Sequence, residues 1–177
     1  MNALSNSKRA INCQIDKMLL CYGINAKKWK LTNLPKKLEL LQELNIIAPN
    51  IVRKIIRMRN DLEHEYKHPE KEKVEDAIDI SNLFIEASNR KLEIWEHFYI
   101  VDKEYEAWDF ENDIDIWFFQ NKSEFKIIGH KNYKKIGENI INTTNKEEYK
   151  ALLKLAISPE DEIGKETVQY LITLTCE

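Results

Sequence analysis

The chain has 177 residues, a formal net charge of -3, three cysteines and only four glycines. That is enough for one ordinary domain, or a helical domain with a small appendage, and it excludes long Gly-rich linkers. Cys13, Cys21 and Cys176 are too few and too scattered for a disulfide framework or a zinc site, so no metal or cofactor is expected. Asn2, Lys8, Arg9, Asp16 and Lys17 interrupt the start of the chain, so neither a signal peptide nor a membrane span is expected; the protein is predicted to be cytoplasmic, with no membrane partner.

Leu4, Ile11, Ile15, Met18, Leu19 and Tyr22 recur at helical spacing and Gly23 follows as a terminator, predicting a first helix over about residues 3–22 with Cys13 and Cys21 as small core residues. Pro35 opens a second, with Leu38, Leu40, Leu41, Leu44 and Ile47, ending before Pro49. A third runs over about 50–66, its latest end fixed by Pro69. A fourth spans about 70–96, with Val74, Ala77, Ile78, Ser81, Phe84, Ile85, Ser88, Leu92 and Trp95 facing inward. Short connections imply an antiparallel bundle over 1–97.

From Phe98 the pattern changes to short aromatic and β-branched runs, Phe98 to Ala107, Asp113 to Phe119 and Glu124 to Ile128, which read as a three-stranded antiparallel meander. Asp109, Glu111, Asp113 and Asp115 alternate with apolar residues as a turn entering a one-sided strand. A further helix is predicted over Lys146 to Ile157, with Tyr149, Leu152, Leu153 and Ala156 on one side, while Thr167 to Thr175 reads equally as strand or helix. The expected fold class is therefore mainly α: an antiparallel four-to-five-helix bundle followed, over 98–177, by a small α+β region with a short antiparallel sheet and no assigned role.

Charge is distributed unevenly. Lys27 to Arg59 carries nine Lys or Arg against Glu39 and Glu43, and Asn60 to Asp115 carries six against eighteen acids. The reversal falls inside the third helix. On a wheel of about 100° per residue, Ile51, Val52, Ile55, Met58, Leu62 and Tyr66 share one arc, with Arg59 in its middle. A guanidinium on a packing arc needs a partner: a carboxylate of the fourth helix, a facing subunit or a polar cleft. Arg53, Arg57, Asn60 and His64 form a second stripe, with Asn60 four residues before His64 and able to orient its ring. Arg59 and His64 lie about 140° apart on a straight helix, so one phosphate reaches both only if the helix distorts or two subunits share a site. Asp61, Glu63 and Glu65 surround this segment with negative charge.

Arg59-Asn60-(x3)-His64-x-Tyr66 resembles the signature of the HEPN superfamily, whose ribonucleases carry Arg, four to six residues, then His, often with a polar residue directly after the Arg. The extension to Tyr66 resembles the HEPN toxins paired with minimal nucleotidyltransferase antitoxins. The resemblance covers 1 to about 97 and implies a homodimeric helical bundle with the motif at the dimer cleft, acting in a toxin or defence role. It also implies metal-independent RNA cleavage, with His64 as general acid or base, Arg59 on the phosphate, Asn60 orienting, and Tyr66 as an auxiliary donor or a site of nucleotidylation by an antitoxin. Lys27, Lys28, Lys30, Lys36 and Lys37, with Arg53 and Arg57, are the candidate RNA-backbone contacts; Trp29 offers a stacking face or plugs the core beneath its loop.

The alternative is a noncatalytic dimerisation or binding module of the same superfamily type, in which the strand-rich half, with Trp108 and Trp117, recognises a protein or a nucleic acid. His68, His97 and His130 show no metal-ligand spacing and read as structural or surface residues.

Overall fold

The computed structural model describes residues 2–46, 50, 52–54, 56–57, 70–101 and 112–157, and the chain divides into two compact units, Met1–Glu93 and Ile94–Glu177. Helix α1 (Asn2–Cys21) buries Leu4, Ile11, Ile15, Met18 and Leu19, a stripe at three- and four-residue spacing. Its end is closed by a Schellman motif. Gly23, at φ 66, donates to Leu20 O, and Ile24 N–H donates to Leu19 O at 2.8 Å while its side chain is buried. Cys13 is exposed, contrary to the expectation of a core residue, because it lies on the far side of the helix from Ile11 and Ile15.

Helix α2 (Leu34–Glu43) starts where expected, with Pro35 in its first turn and Asn33 Oδ1 accepting from Lys36 N–H at 3.1 Å. It buries Leu38, Leu40 and Leu41 and closes on Asn45, at φ 56, with Ile46 N–H donating to Leu41 O. Of the third helix, α3, residue 50 and residues 52–54 and 56–57 are described as helical, with Val52 fully buried.

Helix α4 (Lys71–Asn89) packs against α1 through Ala77, Ser81, Phe84 and Ser88. Gln14 Nε2 donates to Ser88 Oγ at 3.0 Å and Asn89 Oδ1 at 2.9 Å, which satisfies a buried amide between the two helices. The inward arc is narrower than the predicted stripe, and Ile78 stays 37% exposed. The helix also ends earlier than predicted, passing into a 3-10 turn, Arg90–Leu92, whose Lys91 carbonyl accepts from the buried Tyr22 hydroxyl at 2.7 Å. Burial, and to a lesser degree the neighbouring Cys21, pushes the Tyr22 phenol far above its ordinary pKa. Trp95, expected on the inward stripe, is 55% exposed and already belongs to the second unit, where its backbone N–H donates to Ala156 O.

The second unit corrects the expected fold class. The molecule is not a mainly α bundle with a three-stranded appendage: its described residues include, in addition to helices, a four-stranded antiparallel sheet of order β1-β2-β3-β4. The strands are β1 (His97–Val101), β2 (Asn112–Phe119), β3 (Glu124–Lys131) and β4 (Lys134–Asn142). The alternating Ile114, Ile116 and Phe118 of β2 are buried against Phe125 and Ile127 of β3 and Phe98 and Ile100 of β1, as a one-sided strand requires. Strand β4 was not predicted, for two physical reasons. The Asn132-Tyr133 loop joining it to β3 has positive φ at both residues, a type I′ turn without the usual glycine. A register shift at Gly129/His130 then leaves Ile136 49% exposed and breaks the alternation.

Helix α5 (Lys146–Ile157) forms where predicted and covers the buried face. Tyr149, Leu152, Leu153 and Ala156 are fully buried, and the Tyr149 ring meets Phe125 edge-on at 5.1 Å. Burial pushes the Tyr149 phenol far above its ordinary pKa. The expectations for Trp108, Thr167 to Thr175 and the first strand beyond Val101 lie outside the described residues.

Candidate functional site

The predicted catalytic residues Arg59, Asn60, His64 and Tyr66 lie outside the described residues. What is described is the approach to them. Helical residues reach 57, Arg57 is exposed, and the half-buried Arg53 directs Nη1 toward Asn50 Oδ1 at 3.4 Å.

The lysines between α1 and α2 are placed by their own backbone. Residues 26–30 form a helical turn in which Trp29 N–H donates to Asn25 O and Leu31 N–H to Ala26 O. The turn is closed by Lys30 at φ 58, a left-handed conformation that costs a non-glycine residue about 1–2 kcal/mol. Burial of Trp29, 8% exposed, accompanies that conformation and takes the indole away from any RNA base: it is the core plug and not the stacking face. Lys27, Lys28 and Lys30 are exposed on this turn, and Lys36 is exposed on the first turn of α2. Lys37 differs. Its ammonium lies 2.5 Å from Asp16 Oδ1 and its side chain is 18% exposed, so it ties α2 to α1.

A second polar constellation, absent from the predicted site, occupies the sheet face opposite α5. Asp113, Asp115, Trp117 and Phe119 alternate with the buried residues of β2 and therefore share that face. His97 Nε2–H donates to Asp115 Oδ1 at 2.9 Å, and the His97 ring stacks on Trp117 with centroids 3.7 Å apart and an interplanar angle of 16°. His130 Nδ1–H donates to Asp113 Oδ1 at 2.6 Å, across the β2–β3 ladder. Lys126 Nζ lies 3.0 Å from Glu138 Oε1, and Lys135 bonds the other oxygen; these two hydrogen bonds hold the Glu138 carboxyl below its ordinary pKa. Each of these three acids is thus met by a cation or an imidazole. Among the described residues no three His, Cys, Asp or Glu side chains converge as a metal-ligand set.

The strand alternation from Asp113 to Phe119 was readable in the sequence. The pairing of His97 and His130 with those acids was not, because it depends on register between segments far apart in the chain. Among the described residues no helix is long and apolar enough to cross a membrane. Compared with protein-family models, curated proteins and solved structures, the chain has no significant match.

Proposed function

We propose that this chain is a metal-independent endoribonuclease of HEPN type that works as a homodimer in a toxin or defence setting. The reading is carried by Arg59-Asn60-(x3)-His64-x-Tyr66, an obligatory cation and a neutral-range imidazole following directly on the helical residues of α3. The exposed Lys27, Lys28, Lys30 and Lys36, on the same unit, support it as contacts for a phosphate backbone. In the reaction the ribose 2′-oxygen bonds to the adjacent phosphorus and the bond from phosphorus to the 5′-oxygen breaks, leaving a 2′,3′-cyclic phosphate and a 5′-hydroxyl. One copy of His64 takes the 2′-OH proton and the other protonates the leaving oxygen, while Arg59 opposes the charge that builds on the phosphate. Asn60 holds the imidazole, and Tyr66 is an auxiliary donor or the residue an antitoxin would modify. Dependence on a ribose hydroxyl restricts the reaction to RNA.

The test is cleavage of single-stranded RNA by the purified protein in EDTA. His64→Ala is expected to lose about 10²- to 10⁴-fold in rate with the dimer intact by sedimentation, and Arg59→Ala to weaken cleavage comparably. Cleavage by His64→Ala at the wild-type rate sinks the reading.

A further inference from the structure

We infer that the open face of the four-stranded sheet is a binding platform for a single strand of RNA, with Trp117 and Phe119 stacking on unpaired bases and Lys122 and Lys126 serving the phosphates between them. Trp117 and Phe119 are alternate residues of β2 on one face, each 38% exposed. Alternate strand residues stand about 6.6–6.8 Å apart, close to the step between bases of an extended single strand. The indole is held in advance of any ligand: one side stacks on His97, which Asp115 in turn fixes. A ring already held in place loses little side-chain freedom when a base stacks on it.

The charges fit the same occupant. Lys122 Nζ sits 5.6 Å from the Phe119 ring centroid, and Lys126 is the direct cross-strand neighbour of Trp117. Lys135, in register with His130, adds a third lysine to this face. Among the described residues the acids of this face are Asp113 and Asp115 of β2, bonded to His130 and His97, Glu138 of β4, bonded to Lys126 with Lys135, and Glu124 of β3, the cross-strand neighbour of Phe119. A strand's phosphates therefore meet Asp113, Asp115 and Glu138 already matched, with Lys122 beside Phe119 as the cation at the end of the face where Glu124 stands. A protein partner fits less well, because the cores of protein interfaces are depleted in Lys, Asp and Glu, and here those residues stand among the aromatics.

The surface is defined independently of Arg59 and His64, but the choice of RNA as the strand rests on the ribonuclease reading. The experiment uses the full chain carrying His64→Ala, so that RNA stays intact, and follows the anisotropy of a short, unstructured, labelled RNA. Trp117→Ala and Phe119→Ala are each expected to weaken binding about 5- to 100-fold, whereas Trp117→Phe keeps most of it. Lys122→Ala should lower the slope of log affinity against log salt by about one. Should Trp117→Ala lose the fold by circular dichroism, Phe119→Ala and Lys122→Ala carry the test. Wild-type affinity in the folded aromatic variants, or duplex RNA bound as tightly as a single strand, overturns the inference, as does a face that takes up only a protein. RNA cleavage by the wild type with binding indifferent to Trp117 and Phe119 removes the platform alone; binding that depends on them without cleavage removes the ribonuclease alone.

Discussion

The two units solve the problem of buried polarity in opposite ways. Between α1 and α4 a polar group is taken inside: Gln14 is buried and satisfied by Ser88 and Asn89, and the small side chains of Ala77, Ser81 and Ser88 line the contact. In the sheet unit the described core is apolar, Ile116, Phe125, Ile127, Leu152 and Leu153 closing around Tyr149, while the imidazoles, carboxylates and lysines are displaced to the opposite face. Helix packing holds a buried amide at a fixed depth between two rods, whereas a pleated strand sends every second side chain out of the core and assembles a polar surface as a by-product. The sheet unit can therefore change its outer face without touching its core, a freedom the α1–α4 seam lacks.

The largest expected effect strikes the apolar core. Phe125→Ala removes the ring that meets both Phe118 and Tyr149 and should cost about 3–5 kcal/mol, read as a lower denaturation midpoint with loss of amide protection in β2 and β3. A cost below about 1 kcal/mol would mean that the sheet core is looser than its burial implies.

The two buried tyrosines test the contrast at high pH. Both phenols are raised in the folded state, Tyr22 by burial and then by Cys21, Tyr149 by burial. For each, the stabilisation from keeping the proton is fully present below the unfolded value of about 10 and is lost as pH climbs from there toward the folded value. Thermal stability should therefore fall above about pH 10, and Tyr22→Phe or Tyr149→Phe should flatten that fall. At neutral pH, Tyr22→Phe also deletes the bond to Lys91 O and should cost about 1 kcal/mol. An alkaline profile unchanged in both variants would contradict the burial of these hydroxyls.

The smallest effect concerns the β3–β4 turn. Tyr133 stands at φ 58 where a type I′ turn favours glycine, so Tyr133→Gly should stabilise the hairpin by roughly 0.5–1 kcal/mol. A loss of stability would show that the Tyr133 ring contributes more than its backbone strain costs.

Much of the helical unit was legible because helix periodicity and end signals are local. The stripe from Leu4 to Tyr22, Gly23 as terminator and Pro35 as opener were all written within a few residues of where they act. Cys13 was misplaced because small size suggests a core residue while the wheel puts it outside. In the sheet unit β2 and α5 could be read from their patterns, but β4 could not: its first residues are Lys134 and Lys135, and the bulge at Ile136 shifts its parity. The Arg59 to Tyr66 segment could be read as residue types and spacing alone. Whether Trp29 faces a ligand or the core depended on how a turn folds over α1 and α2, which no spacing encodes.

By itself the sequence determined which faces of α1, α2 and α5 are apolar and where two helices begin and end. Only the tertiary structure decided that Trp29 is a plug, that Lys37 is tied to Asp16, and that His97 and His130 meet Asp115 and Asp113 beside Trp117. Helix faces follow from a fixed turn of about 100° per residue, whereas cross-strand neighbours follow from register, which loops, bulges and a shared core set between residues remote in the chain.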